Sequence, residues 1–186
     1  MSYHHGDLRR ALLRAAGEAI TDQGIAGLSM RDLARRAGVS HAAPTHHFGD
    51  KAGLLTAFAT EGFEELAKAL AGNTLLEMGA AYVRFAVGHR AHFEVMFRPD
   101  LYHADDPGLL AARRRSADAL YSGVVEMPGG IRSPGSSEVR TAGLAAWSLA
   151  HGFATLWLAG AFPGADADPA ETARVVLAEL NRAADR

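Results

Sequence analysis

The stretch AGVSHAAPTHHFGDK, Ala37 to Lys51, places His41, His46 and His47 within seven residues. Three imidazoles so close together raise metal binding, catalysis and surface presentation as roles. On a helix advancing about 100° per residue, His41 and His46 stand about 140° apart, and His46 and His47 about 100° apart. Side chains fanned out in this way cannot converge on one ion, and the i, i+4 spacing of helical metal ligands is absent. No Ser, Cys or carboxylate stands at a spacing that would orient one of them for catalysis. Two readings remain. Either His47 packs under Phe48 while His41 and His46 are simply exposed, or the helix is presented to nucleic acid.

The flanking sequence bears on that choice. Upstream, Ser29 is placed to cap a helix with Asp32 at its third position, and Leu28 and Leu33 occupy the hydrophobic staple positions. Gly38 ends this helix after about eight residues, and Ser40 is expected to cap the next, which runs to about Phe48. Two short helices joined through Gly38-Val39-Ser40 must cross steeply, which is helix-turn-helix geometry. Before them, Asp7 is expected to cap a helix carrying Leu8, Leu12, Ala15, Ala16, Ala19 and Ile20 at a 3.6-residue period and ending at Gly24. After them, Asp50 is expected to cap a fourth helix, with Leu54, Leu55, Phe58, Phe63, Leu66 and Leu70, stopped by Gly72-Asn73.

The first turn of the second short helix, Ser40-His41-Ala42-Ala43, is small and polar, so a duplex can approach it closely. Residues at this end of a recognition helix meet base edges. Ala42 can touch a thymine methyl, and His41 or His46 can bond a base edge or a phosphate. Lys51 suits a phosphate. At this point GLSMRDLARRAGVSHAAPTHHFGDKAGLL resembles the DNA-binding domain of TetR-type transcriptional regulators, over roughly Gly6 to Leu66. The family pattern has a Gly-Val-Ser turn, a recognition helix ending in His-Phe, and a Lys opening the fourth helix. The resemblance implies that Ser29 stands where a phosphate-binding hydroxyl stands in the family. Thr45 stands where the family usually has a phosphate-contacting Tyr, which shifts the expected load to His46, Lys51 and Arg31. Pro44 replaces an aliphatic residue and lacks the N–H that would bond the Ser40 carbonyl.

The composition agrees with an intracellular helical protein. The 186 residues are 48% hydrophobic and contain no cysteine, so disulfides, thiolate metal sites and cysteine nucleophiles are excluded. The absence of cysteine fits a reducing cytoplasm. MSYHHGDLRR lacks the apolar run of a signal peptide. Residues 1–55 carry seven Lys/Arg and five Asp/Glu, whereas 56–186 carry twelve and sixteen. This asymmetry allows an anion-binding end on an acidic body.

Beyond the fourth helix, helices are expected over about 74–90, 91–97, 107–127, 136–161 and 168–184. The linker-like MPGGIRSPGSS between two of them is expected to be mobile. Leu144–Phe162 has no charge apart from His151, yet its Ser, Thr and Gly content and its lack of Lys/Arg anchors argue for burial in protein over a membrane span. AWSLAHGFATLWLAG resembles the W…HG signature of one class of TetR C-terminal ligand domain, with Trp147, His151 and Gly152 in the named positions. Ala145, Ser148, Gly152, Thr155 and Ala159 follow one another at spacings of three and four, a seam of small residues that admits a second helix. With Val176 and Leu180 of the last helix, this seam is the expected dimer surface, an intrachain helix crossing being the alternative. Tyr82, Phe85, Met96 and Phe97, with Trp147 and His151, are the expected walls of a largely apolar small-molecule site, against the plainer reading of ordinary core.

The expectation is therefore an all-α regulator without cofactor or metal. A helix-turn-helix domain spans about 1–66, with the motif near 29–48, and an effector-binding and dimerisation domain spans 67–186. Its partners are double-stranded operator DNA, a second copy of the chain and a small apolar effector. Two alternatives stand beside it: a ligand-independent architectural DNA-binding protein, and a helical enzyme using His151 as base.

Overall fold

The computed structural model describes residues 5–126, 136–162 and 167–184, with side chains described for 7–126, 136–162 and 167–179. Every regular element among them is helical. The elements are α1 (His5–Gly27), α2 (Met30–Arg36), α3 (Ala43–Phe48), α4 (Lys51–Leu70), α5 (Leu75–Gly88), α6 (Arg90–Met96), a 3-10 turn (Pro99–Leu101), α7 (Pro107–Val125), α8 (Ser137–Leu158) and α9 (Pro169–Ala184). The linker-like MPGGIRSPGSS falls mostly outside the described residues. No described helix is long and apolar enough to cross a membrane.

The chain divides into two compact units, Met1–Phe63 with Arg90–Ala112, and Glu64–His89 with Arg113–Arg186. By internal contacts, residues 90–112 group with the N-terminal unit, beyond the expected break near residue 66. There α6 packs on α1. The His92 ring stacks on Phe58 at 3.9 Å. Met96 lies so close to Gly62 that a Cβ there would stand 2.6 Å from its sulfur. The loop after α6 is tied down as well: the His103 N–H donates to Thr56 Oγ1 at 3.0 Å, and the Tyr102 hydroxyl donates to the Met96 carbonyl at 2.7 Å.

Within the first unit the local signals act as the residues dictate. The Asp32 N–H donates to Ser29 Oγ at 3.1 Å, and both staple residues, Leu28 and Leu33, are buried. Gly38 takes a positive φ of 66°, and the next N–H, from Val39, reaches back to the Ala34 carbonyl at 3.0 Å. That bond satisfies an orphan carbonyl at the end of α2 and turns the chain. The Gly53 N–H donates to Asp50 Oδ1 at 2.8 Å, as the expected cap of α4 requires. Two expected caps are corrected. Asp7 does not cap α1, which has begun by His5; it lies in the first turn, where its carboxylate still meets the positive end of the helix. Ser40 does not cap α3 through its side chain. The cap position is Ala42, and the Ser40 carbonyl instead accepts the Ala43 N–H at 3.0 Å. Pro44 is the reason. It has no N–H to offer Ser40, so the entry tightens into a three-residue turn.

In the second unit α5 is the central helix, and both α8 and α9 pack on it. Met78 to Val83, Phe85 and Ala86 are buried. Small residues set the close approaches: a Cβ at Gly79 would stand 2.3 Å from Leu177 of α9, and one at Gly143 would stand 2.5 Å from the Tyr121 ring of α7. Thr74, Ser136 and Asp168 cap α5, α8 and α9 through bonds from Glu77, Val139 and Glu171.

Candidate nucleic-acid interface and C-terminal site

The helix-turn-helix pair is held by groups on α1, α2 and α4. Asp32 accepts from Arg35, Arg36 and Gln23, and Arg36 also pairs with Asp22 at 2.7 Å. This network joins α1 to α2. Hydrogen bonds from Arg36 and then Arg35 hold the Asp32 carboxyl at about 2, well below the usual carboxylate range. Lys51 Nζ donates to the Ile25 carbonyl at 2.8 Å, across 26 residues. The Arg9 guanidinium lies 5.6 Å from the Phe48 ring centre, and a Cβ at Gly53 would stand 2.0 Å from the Phe48 carbonyl oxygen.

Against that support α3 turns a single residue fully inward: Pro44 is completely buried. Ser40, His41, Ala42, Thr45 and His46 are exposed, while His47 and Phe48 are half-buried with ring centres 6.2 Å apart. Most of the expected DNA-facing residues thus lie along one short stretch whose interior face is occupied by the proline. Ser29 and Arg31 are exposed at the start of α2, and Ser29 acts there as the helix cap. Among the described residues no three His, Asp or Glu side chains are grouped as metal ligands would be. The sequence reading missed Arg9, Gly53 and the second role of Lys51. Each acts across a tertiary contact that spacing along the chain does not reveal.

The expected effector residues fall in both units. Tyr82 and Phe85 of α5 and Trp147 and His151 of α8 belong to the second unit, whereas Met96 and Phe97 belong to the first. There Phe97 meets Phe63 and Phe93 edge-on, at 5.8 and 5.2 Å, and Met96 is buried against Gly62. In the second unit Trp147 Nε1 donates to the Tyr82 hydroxyl oxygen at 3.2 Å, and that oxygen stands 2.8 Å from His151 Nδ1. Burial pushes the Tyr82 hydroxyl above its usual range, and burial pushes His151 below its own. Both shifts favour the neutral forms, so this is a neutral hydrogen-bonded trio at the contact of α5 and α8.

The expected dimer seam is open. Ala145, Ser148, Thr155 and Ala159 are exposed, and beyond the adjoining backbone of α8 itself no described atom lies within 4 Å of a Cβ placed at Gly152. Leucines flank the seam: Leu144 is 56%, Leu149 48% and Leu156 49% exposed. On α9, Ala170 and Ala173 are buried while Val175 and Val176 face out. The side chain of Leu180 lies outside the described residues.

Two short helices, the first capped by Ser29, meeting at a positive-φ glycine and showing a small polar face, have the geometry of a helix-turn-helix DNA-binding protein. Comparison with known proteins agrees. Residues 12–58 match the family model described as bacterial regulatory proteins, tetR family, and residues 75–180 match that described as tetracyclin repressor-like, C-terminal domain. The chain belongs to the TetR family of transcriptional regulators; it is a DNA-binding regulator and not an enzyme. An HTH-type transcriptional regulator BetI from Burkholderia thailandensis is 28% identical over 87% of this chain and 86% of its own length. One from Stenotrophomonas maltophilia is 38% identical over 34% of this chain, which covers about a third, 32%, of that relative. A solved structure of a protein of unknown function from Rhodococcus sp. RHA1 superposes with a TM-score of 0.76 at 34% identity, over 95% of this chain and 94% of that one.

Proposed function

We propose that this regulator is a cytoplasmic repressor that binds a palindromic operator as a homodimer and releases it when a small, largely apolar molecule binds. The observation that carries the reading is the outer face of α8. Its small-residue seam and three exposed leucines form an apolar surface with no described residue over the seam at Gly152. Apolar surface of this kind is expected to be covered by a second copy, and a two-fold axis through it makes an isologous contact. Two recognition helices then read half-sites about one helical turn, roughly 34–36 Å, apart or further. Ser40, His41, Ala42, Thr45 and His46 meet the groove, and Arg31 meets a phosphate. Tyr82, Phe85, Trp147 and His151 mark the effector region, an apolar setting with a few fixed polar groups. An effector needs only differential affinity for two dimer states, and a coupling of about 1–3 kcal/mol makes a useful switch.

The test is selection of bound sites from random DNA, followed by a thermal-shift screen of small apolar molecules and a gel shift with each hit. Recovery of an inverted repeat, and of a molecule that both raises the melting temperature and releases the duplex, is the expected result. Selection without sequence preference, together with a screen that yields no stabiliser, would identify an architectural DNA-binding protein instead.

A further inference from the structure

Lys51 opens α4, where a lysine next to bound DNA is expected to neutralise a phosphate. Its ammonium commits one of its three N–H donors elsewhere. Nζ donates to the Ile25 carbonyl at 2.8 Å, and the same oxygen accepts the Leu28 N–H at 3.3 Å. Ile25 is buried and follows Gly24, whose φ of 72° breaks the helical path of α1, so this carbonyl belongs to the corner between α1 and α2. Lys51 lies at the opposite corner, between α3 and α4. One charge-assisted bond therefore ties the two corners that bracket the helix pair. A cation also suits the negative end of α1.

Resting on the reading that α3 enters the groove, we infer that Lys51 is a positioning residue: it fixes the recognition helix through Ile25 in place of neutralising a phosphate. Two further contacts make the position of α3 sensitive to this tie. The Phe48 carbonyl is packed hard against Gly53 in the first turn of α4, so a shift of α4 carries the end of α3 with it. The start of α3 is held by buried Pro44. Loosening the Lys51–Ile25 bond frees one end of a six-residue helix whose other end is fixed.

The two roles leave different signatures in salt. A phosphate contact releases a counterion, so losing it flattens the plot of log affinity against log salt by about 0.9 per phosphate. A positioning residue weakens binding at every salt concentration and leaves the slope alone. The experiment uses the full chain, the duplex selected by the wild type, and the variants Lys51→Met and Lys51→Arg. Lys51→Met is expected to lower the melting temperature and to weaken binding about tenfold with an unchanged slope. Lys51→Arg keeps a donor and a charge and is expected to restore both. Arg31→Ala serves as the reference for a lost phosphate contact. A Lys51→Met slope flattened by about one overturns the proposal, and so does a variant with wild-type melting and wild-type affinity. If Lys51→Met does not fold, the positions of Lys51→Arg and Lys51→Gln on the same two axes decide it. A wild-type chain that selects no duplex removes the underlying reading of α3, and the proposal with it.

Discussion

The hydroxyl of Tyr82 and the ring of His151 meet across the α5–α8 contact at 2.8 Å, although 69 residues separate them. The indole N–H of Trp147 can only donate, so the Tyr82 oxygen accepts from it. A neutral His151, which burial favours, accepts a hydrogen bond from the Tyr82 hydroxyl at Nδ1. The trio is thus directed, Trp147 to Tyr82 to His151, and two residues of the W…HG signature act through a partner on another helix. Replacing Tyr82 by Phe keeps the ring packing and removes the junction. Trp147 is 38% exposed and His151 half-buried, so water takes up part of the loss, and a bond of this kind contributes about 0.5–1.5 kcal/mol. Tyr82→Phe is expected to lower stability by that order, and a double-mutant cycle with His151→Asn to return a coupling of about 0.5–3 kcal/mol. Chemical denaturation measures both; a coupling near zero would show that the contact is spatial only.

Acid should loosen the helix-turn-helix pair through Asp32. Its folded value, about 2, lies below the ordinary 3.8, so the folded state holds the ionised form more strongly. The resulting stability is present above about pH 4 and drains away as pH falls toward 2. Melting curves taken across that window should converge for wild type and Asp32→Asn as the pH falls. A constant gap between them would mean that Asp32 titrates alike in both states.

Gly53 sets propensity against sterics. Alanine is favoured over glycine by about 0.8–1.0 kcal/mol in a helix interior, an upper bound for Gly53 in the first turn of α4. Here an added Cβ would stand 2.0 Å from a backbone oxygen, that of Phe48, so the end of α3 must move. The steric term is expected to win. Gly53→Ala should lower the melting temperature and weaken operator binding in a gel shift, and an increase in stability would refute the clash.

Gly152 poses the reverse case. Beyond the adjoining backbone of α8, leucine there meets no described atom of its own chain within 4 Å of the new Cβ, and it gains helix propensity. If α8 is the contact between copies, Gly152→Leu should give a folded monomer that has lost operator binding. Sedimentation at micromolar concentration reads the first outcome and a gel shift the second. A variant that still sediments as a dimer would move the interface off this seam.

The sequence revealed what neighbouring residues decide among themselves. Ser29, Gly38 and Asp50 act within four positions of their own place, and the structure uses each as its type and spacing imply. The α8 seam was legible because a 3.6-residue period sorts small residues from large. Contacts between distant segments were not. The Lys51–Ile25 bond depends on how α4 meets the end of α1, and the stacking of His92 on Phe58 and the placing of Met96 and Phe97 with the N-terminal unit depend on how α6 returns to that unit. No periodicity within α6 encodes that return. Ser40 failed as a cap for a local reason of a different kind. Its own type was right, but Pro44 four positions on changed the hydrogen bonds available to it.

Pro44 has one more consequence. It is sealed in the interior, while Thr45 and His46 beside it, and His41 and Ala42 before it, stand in the open. Support and reading are therefore assigned to different residues of one small helix. On the proposed reading of α3, single codon changes at 41, 42, 45 or 46 would alter what the protein prefers to bind without disturbing the cap, the turn or the core beneath. A lineage carrying this arrangement can wander from one operator to another by small steps, with the ancestral scaffold intact throughout.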